Sequence, residues 1–293
     1  MMSIHAIRSA ARAAAGVFCL LLLLLCSCAA AELEPLPVDD SPAPAPAAEC
    51  FLPDWGGYKD ESLSVQIEST RAYDTTILIA RVKIAHPSQI RTAMGHRYGS
   101  TKNTIPRILT KRVNSVFAVN GDFFSFHGKG YLVRQGHLYR ENPVEEMDML
   151  IIDDKGDFHI IIDPTMEKIS AFEGTMVNTF TFGPALVKDG EMVTDSFQEN
   201  IGYNKKTQRM AIAQDGPLSY VFIATEGPEN KGSVGLTIPE LVEFVGGMNL
   251  LNAYNLDGGS SSTMMLGNEK INSLSTGKTR PLCDILYFAT LVR

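Results

Sequence analysis

The chain has 293 residues, with 26 Lys plus Arg against 33 Asp plus Glu, a net charge of −7 and a pI near 5.4. Apolar content of 45%, charged content of 20% and a mean hydropathy of +0.01 exclude a disordered chain, and the length is ample for a buried core. The acid surplus leaves no basic excess to neutralise phosphates, which excludes nucleic acid as the partner.

In chain order, the first element predicted is an export signal over residues 1–27. Arg8 and Arg12 are the only charged side chains before Glu32, and they precede the apolar run Ala13–Cys26 with its leucines Leu20–Leu25. That run is too short for a hydrocarbon core about 30 Å thick, but it fits the apolar centre of a secretory signal. Leu25-Cys26-Ser27-Cys28 resembles a bacterial lipobox. Cys28 is therefore the expected lipidation site, holding the protein at an extracytoplasmic membrane surface; cleavage nearby without lipidation, giving a secreted protein, is the alternative. Cleavage removes two basic side chains and no acid, taking the net charge from −7 to −9. Of the five cysteines only Cys50 and Cys283 then remain in the exported part, and an oxidising compartment makes them a candidate disulfide.

Residues 28–49 carry Pro35, Pro37, Pro42, Pro44 and Pro46 among Ala and acidic residues, a composition expected of an extended tether. Residues 50–293 are then one domain. Its β-type runs are Thr75–Ile84, Val116–Val119, Met149–Ile152, Phe158–Ile162, Tyr220–Ala224 and Ile285–Leu291. Two helices stand out. Pro106–Val113 is one. The other follows the capping box of Thr237 and Glu240, with Ile238, Leu241, Val242 and Val245 on one face and Gly246-Gly247 behind them. With the strands at 218–224 and 251–256, that helix predicts a βαβ unit near the C-terminus. The fold class expected is α+β, a mixed, mainly β-sheet core with a few helices.

Three segments carry candidate chemistry. Asn120-Gly121-Asp122 ends an apolar strand and reads either as an Asn-Gly hairpin turn or as an amide and a carboxylate set at a functional bend. Asn255-Leu-Asp257-Gly258-Gly259-Ser260-Ser261-Ser262-Thr263 follows the last strand of the βαβ unit. Its glycines can expose backbone N–H groups as a nest for an anionic oxygen, and its hydroxyls add donors. Arg209 opens a strand that ends at Asp215-Gly216, and a guanidinium suits a phosphate. Asp153, Asp154 and Asp157 decorate a turn and are the one place where a hard cation such as calcium is conceivable. The five histidines of the domain show no ligand spacing.

These segments, in this order, resemble the phosphodiester glycosidase family. The matching pieces are VFAVNGDFF (116–124), GYLVRQGHLYR (130–140), TFGPALVKDG (181–190), QRMAIAQDG (208–216), GLTIPELVEF (235–244) and NLDGGSSSTM (255–264), with Arg280 near the final strand. The likeness runs from about Ser88 to the C-terminus. It implies an exported hydrolase that cleaves the anomeric C–O bond of a sugar-1-phosphodiester in an envelope phosphoglycan or exopolysaccharide. By this resemblance Asp257 is the catalytic carboxylate and Asp122 the second candidate. Arg134, Arg209 and Arg280 hold phosphate or sugar, and Asn120 and Asn255 orient hydroxyls. Gly121, Asp215, Gly258, Gly259, Ser260, Ser261 and Thr263 complete the binding set. The family usually carries a third glycine where this chain has Ser260. The rival expectation is a non-catalytic envelope lipoprotein that binds phosphoglycans.

Overall fold

A computed structural model describes residues 33–194, 202–228, 232–272 and 279–293. The export signal and Cys28 lie outside the described residues. The chain first forms β1 (Phe51–Leu52), β2 (Gly57–Lys59), β3 (Leu63–Ala72) and β4 (Thr75–Ile84). Tyr73 and Asp74 link β3 to β4 at φ of 51° and 53°, the left-handed pair that suits a tight hairpin between twisted strands. β5 (Ile90–Met94) precedes α1 (Pro106–Val113), where Pro106 opens the first turn and Asn114, at φ 55°, closes the last. β6 (Phe117–Asn120) leads to the single turn α2 (Phe124–His127), then to the hairpin of β7 (Gly130–Arg134) and β8 (His137–Asn142).

β9 (Met149–Asp153) and β10 (Phe158–Ile161) pair around the acidic turn, and α3 (Met166–Ser170) follows. The Asp153 carboxylate accepts from the N–H groups of Lys155 and Asp157 and contacts His159, so the turn itself consumes it. Among the described residues no three His, Cys, Asp or Glu converge as metal ligands. β11 (Met176–Thr181), β12 (Ala185–Lys188) and β13 (Glu191–Met192) come next. They are followed by β14 (Met210–Gly216), β15 (Ser219–Thr225), α4 (Ile238–Gly246) and β16 (Asn252–Leu256). β17 (Met264–Leu266), β18 (Glu269–Lys270) and β19 (Asp284–Phe288) complete the chain.

Nine strands form one sheet in the order β1-β2-β3-β4-β15-β14-β16-β12-β13, and five form another in the order β18-β17-β6-β19-β5. Their inner faces share a core in which Val65, Val82, Ile212 and Phe222 meet Phe117, Val119, Leu286 and Phe288. The other face of the large sheet is covered by α4, whose Leu241 and Val245 pack on Ile77, Ala211 and Val221. Cover on both faces explains why β15 reads as a nearly unbroken apolar run, while β4 returns to alternation at Arg81 and Lys83. The α+β class expected from sequence, mainly β with few helices, is the class observed.

Three expectations need correction. The βαβ unit is split: β14 lies between β15 and β16 and runs antiparallel to both, so these two are parallel without being neighbours. The Pro-rich segment does not stand free from Pro35 onward. Leu36 and Ala43 are buried, and the buried Arg91 guanidinium donates to the carbonyls of Pro37, Asp39 and Ser41. The Pro37 carbonyl also accepts from the Asp39 N–H at 3.0 Å, and Arg91 adds donors for all three. Finally, Cys50 and Cys283 are both free thiols. Cys50 packs at the edge of the inter-sheet core, whereas Cys283 sits in a separate cluster with Phe124 and Leu132.

Candidate active site

The site forms where the ends of the two sheets meet. β6 belongs to the smaller sheet and β16 to the larger, and the side chain of Asn120 joins them. Its Nδ2 donates to the Asp257 carbonyl at 2.7 Å, while its Oδ1 accepts from the Thr263 N–H at 3.0 Å. Asn120 is thus fully occupied in fixing both ends of the 257–263 loop. The Asn-Gly hairpin reading fails, because Gly121 N–H donates to the Asp284 carbonyl and no strand folds back there. Gly121 is required by proximity: a Cβ on it would stand 2.1 Å from Asp284 Oδ1.

Asp257 directly follows β16 and is half-buried. Burial pushes its pKa up to about 6, while Ser261, the Arg280 charge and the Gly258 N–H pull the other way. Arg280 donates to Ser260 Oγ at 3.2 Å and lies 5.1 Å from the Phe123 ring centroid, itself half-buried. Gly258 and Gly259 serve different needs. A Cβ on Gly258 would sit 2.6 Å from the Gln208 carbonyl, whereas Gly259 has φ 56°. Ser260 is not among the residues at positive φ, so the position of the family's third glycine accepts a side chain without strain, and its hydroxyl meets Arg280. The open nest expected here is partly closed. Gly259 N–H donates to Gln208 O, Ser261 N–H to Gly258 O, and Ser262 N–H to Gly259 O.

Behind this loop lies a second, buried group. Arg134 bonds Asp284 Oδ2 through Nε at 3.0 Å and Nη2 at 2.8 Å, and Asp122 Oδ1 at 2.8 Å. It also donates to the carbonyls of Val133 and Thr179 and stacks 4.4 Å from the Phe180 centroid. Burial opposes the Arg134 charge, but the two carboxylates overcome it and raise its pKa. Burial also lifts Asp284, to about 6, against the pull of Arg134. Asp122 Oδ2 accepts from the Thr181 N–H at 2.9 Å. Arg134 is therefore not a ligand-facing cation, and Asp122 is part of the scaffold beneath Asp257.

The other expected ligands fall elsewhere. Arg209 points to the α4 side, donating to the carbonyls of Leu236, Gly202 and Lys205, and burial lowers its pKa to about 10. Asp215 sits at the far end of β14, across from Arg81 at 3.8 Å. Asn255 donates to Gly183 O at 2.6 Å from a buried position, and its Oδ1 has no partner among the described residues. Thr263 anchors the loop through its N–H. Two contributors escaped the sequence reading. Asp284 opens the last β-run, and its acidity in an apolar strand was the available signal. Lys270 donates to the Ser262 carbonyl at 3.3 Å, and burial lowers its pKa to about 7 against the pull of Glu226.

Asn120, Phe123, Asp257, Ser261, Cys283 and Asp284 line a small recess of about 10 Å³, room for one water. The half-buried side of the site is the one shared by Asp257, Ser260 and Arg280.

The sequence profile of the phosphodiester glycosidase family matches residues 113–289, which include every residue of this site. A prophage-derived uncharacterized protein of Bacillus subtilis (strain 168) is 26% identical over 194 residues, 64% of this chain and 30% of that protein. The chain thus spans about a third of that relative. The solved catalytic domain of zebrafish N-acetylglucosamine-1-phosphodiester alpha-N-acetylglucosaminidase, described as auto-inhibited by its pro-peptide, has a TM-score of 0.63 at 16% identity. The match covers 85% of this chain and 87% of that one. A hypothetical protein from Synechocystis has a TM-score of 0.52 at 14% identity over 80% and 62% of the two chains. Both structures share the fold.

Proposed function

The chain belongs to the phosphodiester glycosidase family, and we propose that it hydrolyses the anomeric C–O bond of a sugar-1-phosphodiester, releasing free sugar and a phosphomonoester. The observation that carries this reading is the pairing of Asp257 and Arg280: a carboxylate with a pKa raised to about 6 beside a guanidinium that, among the described residues, donates one hydrogen bond, both on the half-buried side of the loop.

The phosphate leaves as a stabilised anion, so the strong general acid of ordinary glycosidases is less necessary. Arg280 neutralises the departing phosphate, and the Ser260 hydroxyl beside it adds a donor. Asp257, ionised above pH about 6, acts on the sugar side as base or nucleophile. In the net reaction the hydroxyl of water goes to the anomeric carbon, its proton to solvent through Asp257, and the C–O electron pair to the phosphate oxygen. Asn120 holds the loop, while Arg134 keeps the carboxylates of Asp122 and Asp284 paired and buried. The substrate class proposed is an envelope phosphoglycan or exopolysaccharide, met outside the cytoplasm by a protein anchored through Cys28.

The test is incubation of the purified protein with an N-acetylglucosamine-1-phosphodiester and with a plain aryl N-acetylglucosaminide, following products by mass spectrometry. Free sugar plus phosphomonoester from the first alone, lost in Asp257→Asn, is the expected result. Saturable binding without product would favour the non-catalytic reading.

A further inference from the structure

The loop that carries Asp257 is held at its far end by an ammonium group that the reaction above does not use. Lys270 ends β18, the return strand of the short β17–β18 hairpin, where it pairs with Met265. From this half-buried position its Nζ reaches back to the Ser262 carbonyl at 3.3 Å, its one hydrogen bond among the described residues. Asn272 donates to the same carbonyl at 3.0 Å and accepts from the Met264 N–H at 2.7 Å. Ser262 is fully buried, and its own hydroxyl donates to the Arg209 carbonyl at 3.3 Å.

The Ser262 carbonyl and the Thr263 N–H belong to one planar peptide unit. That N–H donates to Asn120 Oδ1 at 3.0 Å, and Nδ2 of the same side-chain amide donates to the Asp257 carbonyl at 2.7 Å. A head-to-tail path of hydrogen bonds therefore runs from the Lys270 ammonium, through one peptide plane and one side-chain amide, to the backbone of Asp257. Bonds in such a chain polarise one another, and a charged donor at its head strengthens those behind it.

The charge facing Lys270 is Glu226, buried just past β15. The Arg209 guanidinium on β14 turns away to the carbonyls of Leu236, Gly202 and Lys205. Glu269, next to Lys270, reaches Arg107 at 3.2 Å, and the Asp257 carboxylate is set towards Ser261 and Arg280. Burial lowers the Lys270 pKa to about 7 against the pull of Glu226. A lysine whose pKa falls on folding gives up its proton more readily in the folded state. Its charged form therefore costs stability below pH about 7, and stability rises from there towards pH about 10. An apolar side chain would suit the packing better; the charge serves the loop.

We infer that Lys270 is a positioning residue for the reaction: in its charged form it sets the 257–263 loop through the Ser262–Thr263 peptide and Asn120, and so fixes the backbone of Asp257. This rests on the role proposed for Asp257 above. Neutral lysine still donates, but an uncharged donor is about half as strong, so the loop loosens and activity falls on the alkaline side.

The experiment follows kcat and KM for N-acetylglucosamine 1-(methyl phosphate) across pH in wild type, Lys270→Met and Lys270→Arg. Lys270→Met is expected to lower kcat about tenfold at pH about 6, to change KM less than about twofold, and to lose the alkaline limb, having no proton to release. Lys270→Arg, charged throughout, keeps kcat within about threefold of wild type at pH about 6 and extends its plateau past pH about 8. The Met variant should melt no lower than wild type at pH about 6, which a merely structural lysine would not allow. A Met variant as active as wild type, one melting several degrees lower, or an alkaline limb shared by both variants would overturn the inference. Backbone hydrogen exchange of residues 257–264, referred to β9 in the same sample, gives a readout independent of turnover. Wild-type protection should drop about threefold or more between pH about 6 and about 8, while the Met variant shows the lower protection at both. Equal protection in the two proteins also overturns the inference. Failure to turn over the phosphodiester, alongside that difference in protection, counts against the catalytic reading and leaves the hold of Lys270 on the loop in place.

Discussion

Two carboxylate–arginine groups lie within one loop's thickness of each other and differ in how completely their charges are used. Asp122, Arg134 and Asp284 are each at most 3% exposed, and the guanidinium is shared among two carboxylates, two carbonyls and two aromatic faces. Asp257 and Arg280 are half-buried, and among the described residues Arg280 has one hydrogen bond and one ring contact. The first group resembles an internal ion network, whose value lies in not being broken. The second leaves hydrogen-bonding capacity for a ligand in a place where burial has already raised the carboxylate pKa. Sequence type alone does not separate them, since both consist of Asp and Arg.

That comparison can be broken at several points. Asp257→Asn is expected to lower turnover by about 10²–10⁴-fold. Its effect on stability has a definite sign. A carboxyl whose pKa is raised on folding binds its proton more tightly in the folded state, so wild-type stability falls as pH rises from about 4 to about 6. Asn lacks that loss, so the variant should melt at the same temperature as wild type or a few degrees higher at pH 7, with the difference vanishing near pH 4. Wild-type activity should correspondingly rise through pH about 6 as Asp257 ionises. A cooperative loss of stability at pH 7 would instead place Asp257 with the scaffold.

Arg134→Met should act in the opposite way, costing about 3–5 kcal/mol in denaturant melts because two carboxylates are left buried without a counter-charge. A loss below about 1 kcal/mol would deny the network its structural role. Arg280→Ala should reduce kcat/KM about 10- to 100-fold, with stability within about 0.5 kcal/mol of wild type. The smallest effect belongs to Ser260→Gly. With ordinary backbone at that position, glycine should cost at most about 1 kcal/mol, through chain entropy, and change kcat/KM no more than severalfold by removing the Arg280 partner. A gain in stability would show that Ser260 is strained after all.

Much of the fold was legible because it is locally encoded. The run Thr75–Ile84 became β4 with those bounds, and Pro106–Val113 became α1. The capping box of Thr237 and Glu240 starts α4 with both reciprocal hydrogen bonds in place. Periodicity, proline placement and caps act within a turn or a strand, so a short window contains the whole signal. The loop 257–263 was legible too, through its paired glycines and the family motif.

What only the tertiary structure decided is which distant segments meet. The insertion of β14 between β15 and β16, the capture of the Pro-rich strap by Arg91, and the separation of Cys50 from Cys283 all depend on pairings far apart in sequence. The same holds for the arginines. Arg134, Arg209 and Arg280 carry the same group, yet one is locked between two carboxylates, one binds carbonyls on the α4 side, and one stands beside Asp257. A guanidinium's role is set by the burial and partners that packing gives it. The sequence by itself determined that this chain carries the family's loop and its aspartate; packing determined that Asp122 is buried against Arg134 while Asp257 stays half-buried near Arg280.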